Sequence, residues 1–184
     1  MQTTTMFHAR LFHVLCYVAL LASTGVVRAD ERGVAALDAR ISGTLQCEKL
    51  LAENFHDTGT APFSVLSAKL IPASNGTEEY CAVNGYIQPQ IQFEVRLPGK
   101  TWNGRYFQTG CGGFCGVINI NHCADALAAD FVVAAHNMGH VGHPIKDPVW
   151  GSDPALREDY GGRSTHLMAV VGKLIAERYY GKRP

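Results

Sequence analysis

The 184-residue chain has 47% hydrophobic and 17% charged residues, and its 16 basic side chains balance 16 acidic ones. This composition predicts a buried core rather than disorder, and the length allows one domain or part of a larger one. A formal net charge of zero argues against nucleic-acid binding, which normally shows a basic patch. It also gives no reason to expect electrostatic attachment to anionic lipid.

The N-terminal segment is typical of a secretory signal peptide. Arg10 precedes an apolar run over residues 11–21, and Val27-Arg28-Ala29 offers a small-residue cleavage site. The run is short for a membrane span, which needs about 20 apolar residues. We therefore expect a signal peptide over residues 1–29, a domain over residues 30–184, and a secreted or periplasmic protein without membrane attachment once the signal is removed.

The next part of the chain predicts two short helical segments and then neighbouring, antiparallel strands. The alternation of apolar and polar residues over 91–97 marks a strand with one buried face. Asn75-Gly76-Thr77, in a turn region, fits an N-glycosylation acceptor, although this short and common motif means nothing in a bacterium. In chain order, the predicted elements are a helical turn at 38–41, a helix at 47–55, and strands at 64–71, 80–87 and 91–97.

A strand that runs into a glycine-rich loop is the central feature of the chain. Tyr106 and Phe107 favour a strand, and four glycines follow within residues 110–116. The unpaired backbone N–H groups of such a loop can bind a phosphate or the negative oxygen of a tetrahedral acyl intermediate. The loop lacks a Gly-Lys-Ser/Thr ending and does not fit Gly-x-Gly-x-x-Gly, which weakens the phosphate interpretation. A plain glycine-rich turn between two strands is the alternative.

Helical and strand segments alternate after this loop. The uninterrupted apolar run at 131–135 is typical of a strand buried on both faces, as in a parallel sheet. A strand–helix–strand–helix order predicts an α/β fold with parallel strands, in which a further strand should follow the last helix. The predicted segments are a helix at 121–129 with Asn121 as N-cap, the strand at 131–135, a loop at 136–157, and a helix at 164–179 ended by Gly181.

An ordered series of motifs in the second half of the chain is distinctive, although no Gly-x-Ser-x-Gly nucleophile elbow, P-loop or His-Glu-x-x-His motif occurs. The series consists of Trp102-Asn103-Gly104-Arg105, Gly110-Cys111-Gly112-Gly113-Phe114-Cys115-Gly116, Gly139-His140-Val141-Gly142, Asp153-Pro154 to Asp159-Tyr160-Gly161, and Tyr179-Tyr180-Gly181-Lys182. This series resembles the tannase and feruloyl esterase family, and the resemblance covers roughly residues 44–184.

The resemblance implies an α/β-hydrolase fold with a large inserted lid, and an exported serine carboxylic-ester hydrolase that acts on small aromatic esters such as tannins or feruloyl esters. In the family, the catalytic serine lies in a Gly-Cys-Ser-x-Gly-Gly elbow soon after the point where this sequence ends, and the aspartate and histidine come much later. We therefore expect the N-terminal part of the fold only, with no triad residue, cofactor or metal in this chain. Calcium would belong to the lid of a longer parent protein.

The resemblance also assigns roles to residues of the glycine-rich loop. The backbone N–H of Gly113 would stabilise the oxyanion, and Gly112 and Cys111 would shape the turn around it. His140 follows the next strand. It is expected either to be a polar loop residue bonded to backbone or to support the oxyanion loop from a neighbouring strand end.

Five cysteines remain once the signal peptide is removed, and this odd number leaves one thiol without a partner in the chain. The resemblance pairs Cys47 with Cys81, which would join the first helix to the β-rich part. For the other three cysteines we favour a Cys115–Cys123 bridge, with Cys111 free.

A metal site is the competing interpretation of the same region. Cysteine and histidine residues are dense between positions 111 and 143, and Cys-x3-Cys loosely resembles zinc-ligand spacing. The chain would then be a non-catalytic, exported zinc- or ligand-binding domain. Export favours disulfides over thiolate ligands, so we expect the esterase instead. The seven candidate ligands are Cys111, Cys115, His122, Cys123, His136, His140 and His143.

Overall fold

The computed structural model describes residues 40–55 and 58–184. The signal peptide predicted over residues 1–29 and the first part of the turn predicted at 38–41 lie outside the described residues. The domain boundary predicted at residue 30 lies there too and stays a prediction. In the described residues, no helix is long and apolar enough to cross a membrane.

Five strands form one mixed sheet: β1 (Phe63–Ile71), β2 (Tyr80–Ile87), β3 (Ile91–Pro98), β4 (Tyr106–Thr109) and β5 (Val132–His136). Their order across the sheet is β1-β2-β3-β5-β4. The first three strands pair antiparallel, as predicted. β5 adds antiparallel to β3, and β4 pairs in parallel with β5. Parallel neighbours need a crossover connection, and a helical segment between β4 and β5 supplies it.

Three α-helices follow β4: α1 (Ala124–Ala128), α2 (Pro154–Glu158) and α3 (Ser164–Tyr180). α3 matches the predicted helix at 164–179, and it ends at Gly181, whose φ of 68° is the left-handed conformation expected at a C-cap. A π-helical turn with a kink at Gly162 connects α2 to α3. Short 3-10 helices occupy Cys47–Ala52, Ile120–Cys123 and Val149–Ser152.

β5 is buried on both faces, as its uninterrupted apolar sequence predicted. Val132 and Ala134 belong to the larger core cluster, together with Met168, Val171 and Ile175 of α3. The opposite face of β5 packs against the helical segment that connects it to β4. This smaller cluster consists of Ile120, Cys123, Leu127, Val133 and Ala135. Two layers of helix therefore hold β5 in the middle of the molecule and fix where its carboxyl end lies.

Tyr179 and Tyr180, near the end of α3, are packing residues. Both are buried. The ring of Tyr180 stacks on Trp102 with centroids 4.1 Å apart, and its hydroxyl donates a 2.6 Å hydrogen bond to the carbonyl of Pro98. These contacts anchor the C-terminal end of α3 to β3 and to the segment that leads into β4.

Two predicted helices are shorter or tighter than the sequence indicated. The helix predicted at 121–129 starts as a 3-10 helix at Ile120, because Ile120 is buried in the smaller core cluster. Asn121 therefore lies inside the first turn and is not an N-cap. Its side-chain oxygen instead accepts a hydrogen bond from Arg96 Nη1 at 3.3 Å. The helix predicted at 47–55 is a single 3-10 segment that ends at residue 52.

Two other local predictions were also wrong. The loop predicted at 136–157 contains a 3-10 helix and α2, because Asp153 caps α2 by accepting a 2.8 Å hydrogen bond from the N–H of Ala155. The described part of the turn predicted at 38–41 is extended. There Ile41 forms an isolated antiparallel bridge with Trp102, and long-range backbone pairing replaces a local turn.

The Cys47–Cys81 disulfide is present, as the family resemblance implied. The two Cα atoms are 5.6 Å apart, and the bridge joins positions 34 residues apart in sequence. It ties the 3-10 helix at Cys47–Ala52 to β2, and both sulfur-bearing residues lie in the larger core cluster.

Candidate functional site

Two loops meet at one edge of the sheet. The glycine loop (residues 110–116) follows the carboxyl end of β4, and the second loop (residues 137–147, here the β5 loop) follows the carboxyl end of β5. The strands are parallel, so both loops leave the sheet on the same side, which is where open α/β sheets bind ligands. Gly116 and Gly142 pair as an antiparallel bridge, with Gly116 N–H donating to Gly142 O at 3.0 Å. The β5 loop therefore backs the glycine loop.

Gly113 occupies a position that only glycine fits without strain. Its φ is 67°, in the left-handed region, and a Cβ there would lie 2.3 Å from the carbonyl oxygen of Pro144. Gly112 lies outside the left-handed region, and a Cβ there would meet nothing within 4 Å. The two adjacent glycines are both exposed, but only Gly113 is constrained by the β5 loop.

A disulfide closes the glycine loop, and it is not the one expected. Cys111 bonds to Cys115, with Cα atoms 5.6 Å apart, whereas the sequence analysis favoured Cys115–Cys123 with Cys111 free. Cys123 is instead the free, buried thiol. It lies among the smaller core cluster below β5, and its Sγ donates to Ala134 O at 3.7 Å. The turn at Gly113 brings Cys111 and Cys115 together, while Cys123 is held on the sheet.

A metal site in this region would need Cys111 and Cys115 as thiolates, but these two cysteines are bonded to each other. Burial raises the pKa of the Cys123 thiol. His122 and His143 are exposed. Among the described residues, no group of three or more His, Cys, Asp or Glu side chains is placed to hold a metal ion.

Backbone groups of the glycine loop are tied down from Gly113 onward. The N–H of Phe114 donates to Pro144 O at 2.6 Å, and the carbonyl of Phe114 faces His140 Nε2 at 2.9 Å. The Tyr160 hydroxyl donates to the carbonyl of Gly113. Within the described part of the chain, the N–H groups of Gly112 and Gly113 have no acceptor. The loop therefore presents free, exposed donors on a fixed backbone, which is the arrangement needed to receive a developing oxyanion.

His140 contacts the glycine loop directly. A carbonyl oxygen only accepts, so the 2.9 Å contact with Phe114 O requires a proton on Nε2. Nδ1 is buried and has no partner among the described residues. The ring stacks on Trp150 at 4.1 Å, and Trp150 in turn lies 4.6 Å from the ring of Tyr160. Three rings thus brace the loop, and Trp150 packs against the protein at the surface.

Asp159 supports the β5 loop from behind, a role that the sequence analysis missed. The residue is 2% exposed, and a Cβ at Gly139, where φ is 88°, would lie 2.4 Å from Asp159 Cβ. Arg163 donates to Asp159 Oδ1 at 2.5 Å and to the carbonyl of Gln88 at 3.0 Å. The i,i+4 spacing of an aspartate and an arginine was the available signal. Tyr160, which bonds the glycine loop, appeared only as part of the motif series.

His136 lies at the end of β5, close to the start of the glycine loop. It is fully buried, and a Cβ at Gly110 would lie 3.9 Å from its Cε1 atom. Its Nδ1 accepts a 3.2 Å hydrogen bond from the N–H of Met138. Burial lowers the pKa of His136 to about 4, so the ring is neutral near pH 7 and carries its proton on Nε2.

Known proteins share this sequence pattern and fold. The tannase and feruloyl esterase family model matches residues 74–184. A probable feruloyl esterase B-2 of Aspergillus flavus is 33% identical over 110 residues, which are 58% of this chain and 20% of that protein. Mono(2-hydroxyethyl) terephthalate hydrolase of Piscinibacter sakaiensis is 29% identical over 126 residues, which are 56% of this chain and 21% of that protein.

A solved structure agrees in fold. The crystal structure of feruloyl esterase B from Aspergillus oryzae superimposes with a TM-score of 0.62 at 24% identity, over 73% of this chain and 29% of that one. The mixed sheet with flanking helices is thus α/β-hydrolase-like. The chain spans about a fifth of the length of the curated relatives it matches. Because the family model covers more than half of the 184 residues, the chain belongs to the tannase and feruloyl esterase family.

Proposed function

We propose that the glycine loop is the oxyanion loop of an exported serine carboxylic-ester hydrolase, with the backbone N–H of Gly113 as an oxyanion donor. The observation that carries the proposal is the free, exposed N–H of Gly113 in a loop whose next backbone groups are bonded to Pro144, His140 and Tyr160. A fixed donor loses no free energy to reorganisation when charge develops on the carbonyl oxygen. One such donor typically contributes about 2.7–4 kcal/mol to transition-state stabilisation.

The reaction is acyl transfer through a tetrahedral intermediate. A serine hydroxyl attacks the ester carbonyl, a histidine takes its proton, and the carbonyl oxygen becomes negative and moves toward the loop N–H groups. The 184 residues contain no Gly-x-Ser-x-Gly elbow. We assign the serine, histidine and aspartate to further sequence of a longer protein. It needs no cofactor in this chain, and it leaves calcium to the lid of that longer protein.

Small aromatic esters are the proposed substrates. The matched relatives are named for feruloyl esters and for mono(2-hydroxyethyl) terephthalate, and both are esters of aromatic carboxylic acids. Exposed apolar side chains line the loops at this edge of the sheet and offer contact area for an aromatic ring. They are Phe114, Val141 and Ile145.

Hydrolysis of methyl ferulate and methyl gallate tests the proposal. We expect the purified 184-residue chain to show no turnover above background, and a longer chain that includes the downstream sequence of the gene to hydrolyse at least one ester. Turnover by the 184-residue chain that survives repurification would overturn the assignment of the nucleophile to later sequence. A folded, longer chain that cleaves neither ester would overturn the proposed esterase activity.

A further inference from the structure

The turn between β1 and β2 carries a motif that the esterase chemistry does not use. Asn75-Gly76-Thr77 is the one Asn-x-Ser/Thr sequence in the 184 residues. Such a sequence accepts an N-linked glycan when it lies at the surface of an exported protein. Three features decide whether this asparagine can be an acceptor: its position in the fold, its local conformation and the redox state of the cysteines.

The backbone places Asn75 at the tip of a two-residue hairpin. Ser74 and Thr77 exchange two backbone hydrogen bonds of 3.0 and 2.9 Å. Asn75 and Gly76 between them have φ values of 50° and 78°. Positive φ at both central residues is the type I′ geometry that Asn-Gly favours, since asparagine tolerates the left-handed region and glycine adopts it freely.

The tip leaves room for a large substituent. Asn75 and Gly76 are exposed, and a Cβ at Gly76 would meet no atom within 4 Å. In the described part of the chain, the Asn75 side chain makes no hydrogen bond and no ion pair. A sugar attached to its amide nitrogen would therefore extend into solvent and displace no contact of the fold.

The hairpin tip lies at the opposite edge of the sheet from the glycine loop. β2 and β5 both run antiparallel to β3, so they run parallel to each other. The tip comes directly before β2, so it lies at the end of the sheet where β2 and β5 both begin. The glycine loop comes after β4, which is parallel to β5, and lies at the edge where β5 ends. A glycan on Asn75 would not obstruct the candidate oxyanion site.

The two disulfides are consistent with the oxidising compartment in which N-linked glycans are added. Cys81 lies in β2, six positions after Asn75, and bonds to Cys47. A second bridge closes the glycine loop. Protein disulfides form and persist in oxidising environments, which include the lumen of the endoplasmic reticulum, where N-linked glycans are added.

We propose that Asn75 is an N-glycosylation site when the chain enters a eukaryotic secretory pathway. The transferred group comes from a lipid-linked oligosaccharide diphosphate. A bond forms between Asn75 Nδ2 and C1 of the first sugar, and the bond from C1 to the diphosphate oxygen breaks. The lipid diphosphate leaves with the electron pair, and one amide proton passes to a base of the transferase. Thr77 supplies the hydroxyl that the acceptor motif requires.

Expression of the full chain in a yeast secretory host tests this site. We expect the secreted protein to run as a heavier species that a peptide N-glycan amidase converts to one sharper, faster band. This enzyme hydrolyses the side-chain amide, so it releases the glycan and leaves aspartate at position 75. Asn75→Gln and Thr77→Ala should each abolish the shift completely. Thr77→Ser, which keeps the hydroxyl, should retain it, and Asn84→Gln, which lies outside any acceptor motif, should leave it unchanged.

Secretion itself is controlled separately. If the native N-terminus does not export the chain, a host signal sequence placed before Asp30 delivers it to the same pathway. Secreted wild-type chain without an amidase-sensitive shift would overturn the proposal. So would aspartate at position 75 in secreted chain that has not been treated with the enzyme, since that result would identify simple deamidation of an Asn-Gly pair. None of these outcomes depends on esterase activity.

Discussion

Gly112 and Gly113 are adjacent in the glycine loop but are held by different constraints. At Gly113, a positive φ and the nearby carbonyl of Pro144 both exclude a side chain. At Gly112, the space is open and the backbone lies outside the left-handed region. Comparing alanine substitutions at these two positions therefore separates the effect of adding one methyl group from the effect of distorting the loop.

Gly113→Ala should destabilise the fold by about 1–3 kcal/mol, because alanine is strained at positive φ and its Cβ would push the loop away from Pro144. Gly112→Ala should change the free energy of unfolding by less than about 0.5 kcal/mol. Urea unfolding of both variants checks the difference. In a longer, active enzyme, the same Gly113→Ala change should lower kcat more than it raises KM. Equal effects of the two substitutions would contradict the geometry.

At the scale of elements, the two disulfides restrain different parts of the structure. Cys47–Cys81 joins positions 34 residues apart and fastens a helical segment to β2. Cys111–Cys115 joins positions only 4 residues apart, so it restrains the glycine loop more than it restrains the unfolded chain. In the chain-entropy model, a ring of the first size contributes about 4 kcal/mol and one of the second size about 2 kcal/mol.

Replacing both cysteines of each bridge by serine should reproduce that order. The Cys47→Ser/Cys81→Ser variant should lose at least about 4 kcal/mol of unfolding free energy, since both cysteines are also part of the larger core cluster and their lost packing adds to the loop-closure contribution. The Cys111→Ser/Cys115→Ser variant should lose about half as much. Urea unfolding and non-reducing peptide mapping measure both effects. A larger loss from the glycine-loop variant would show that this bridge organises more than its own loop.

At the scale of the whole molecule, the sheet has two edges, β1 and β4. β1 is protected by the charge of Lys69 and by an irregularity in its pairing between Val65 and Ser67. β4 contains no charged residue, and Phe107 is 44% exposed on it. Charges and bulges discourage edge-to-edge pairing, so β4 is the edge expected to recruit another strand.

We expect the 184-residue chain to be oligomeric or poorly soluble, and Phe107→Lys to shift it toward monomer. Leu66→Lys, on β1, is the matched control: Leu66 is 65% exposed, but its edge is already protected, so this change should leave association unaltered. Static light scattering of the three proteins at equal concentration checks the difference. A monomeric wild-type chain with a cooperative melt would contradict the prediction.

The sequence by itself determined the elements whose signals are local. The period of two along β3, the unbroken apolar run of β5 and the helical spacing that ends at Gly181 each gave the correct element, because burial of one face or of both repeats at the period of the backbone. The ordered motifs around the glycine loop gave the family, which the family model confirms.

Tertiary structure alone decided which distant groups meet. The bridge from Cys111 to Cys115 depends on the backbone turn at Gly113, whereas the spacing of the cysteines left other pairings open. The outer position of β4 depends on the crossover that inserts β5 beside β3. The fixed position of the Gly113 N–H depends on hydrogen bonds that Pro144 and Tyr160 make to Phe114 and Gly113, and these two residues lie 31 and 47 positions from Gly113 along the chain. Such contacts arise only once the sheet has brought the carboxyl ends of β4 and β5 together, so no local pattern carries them.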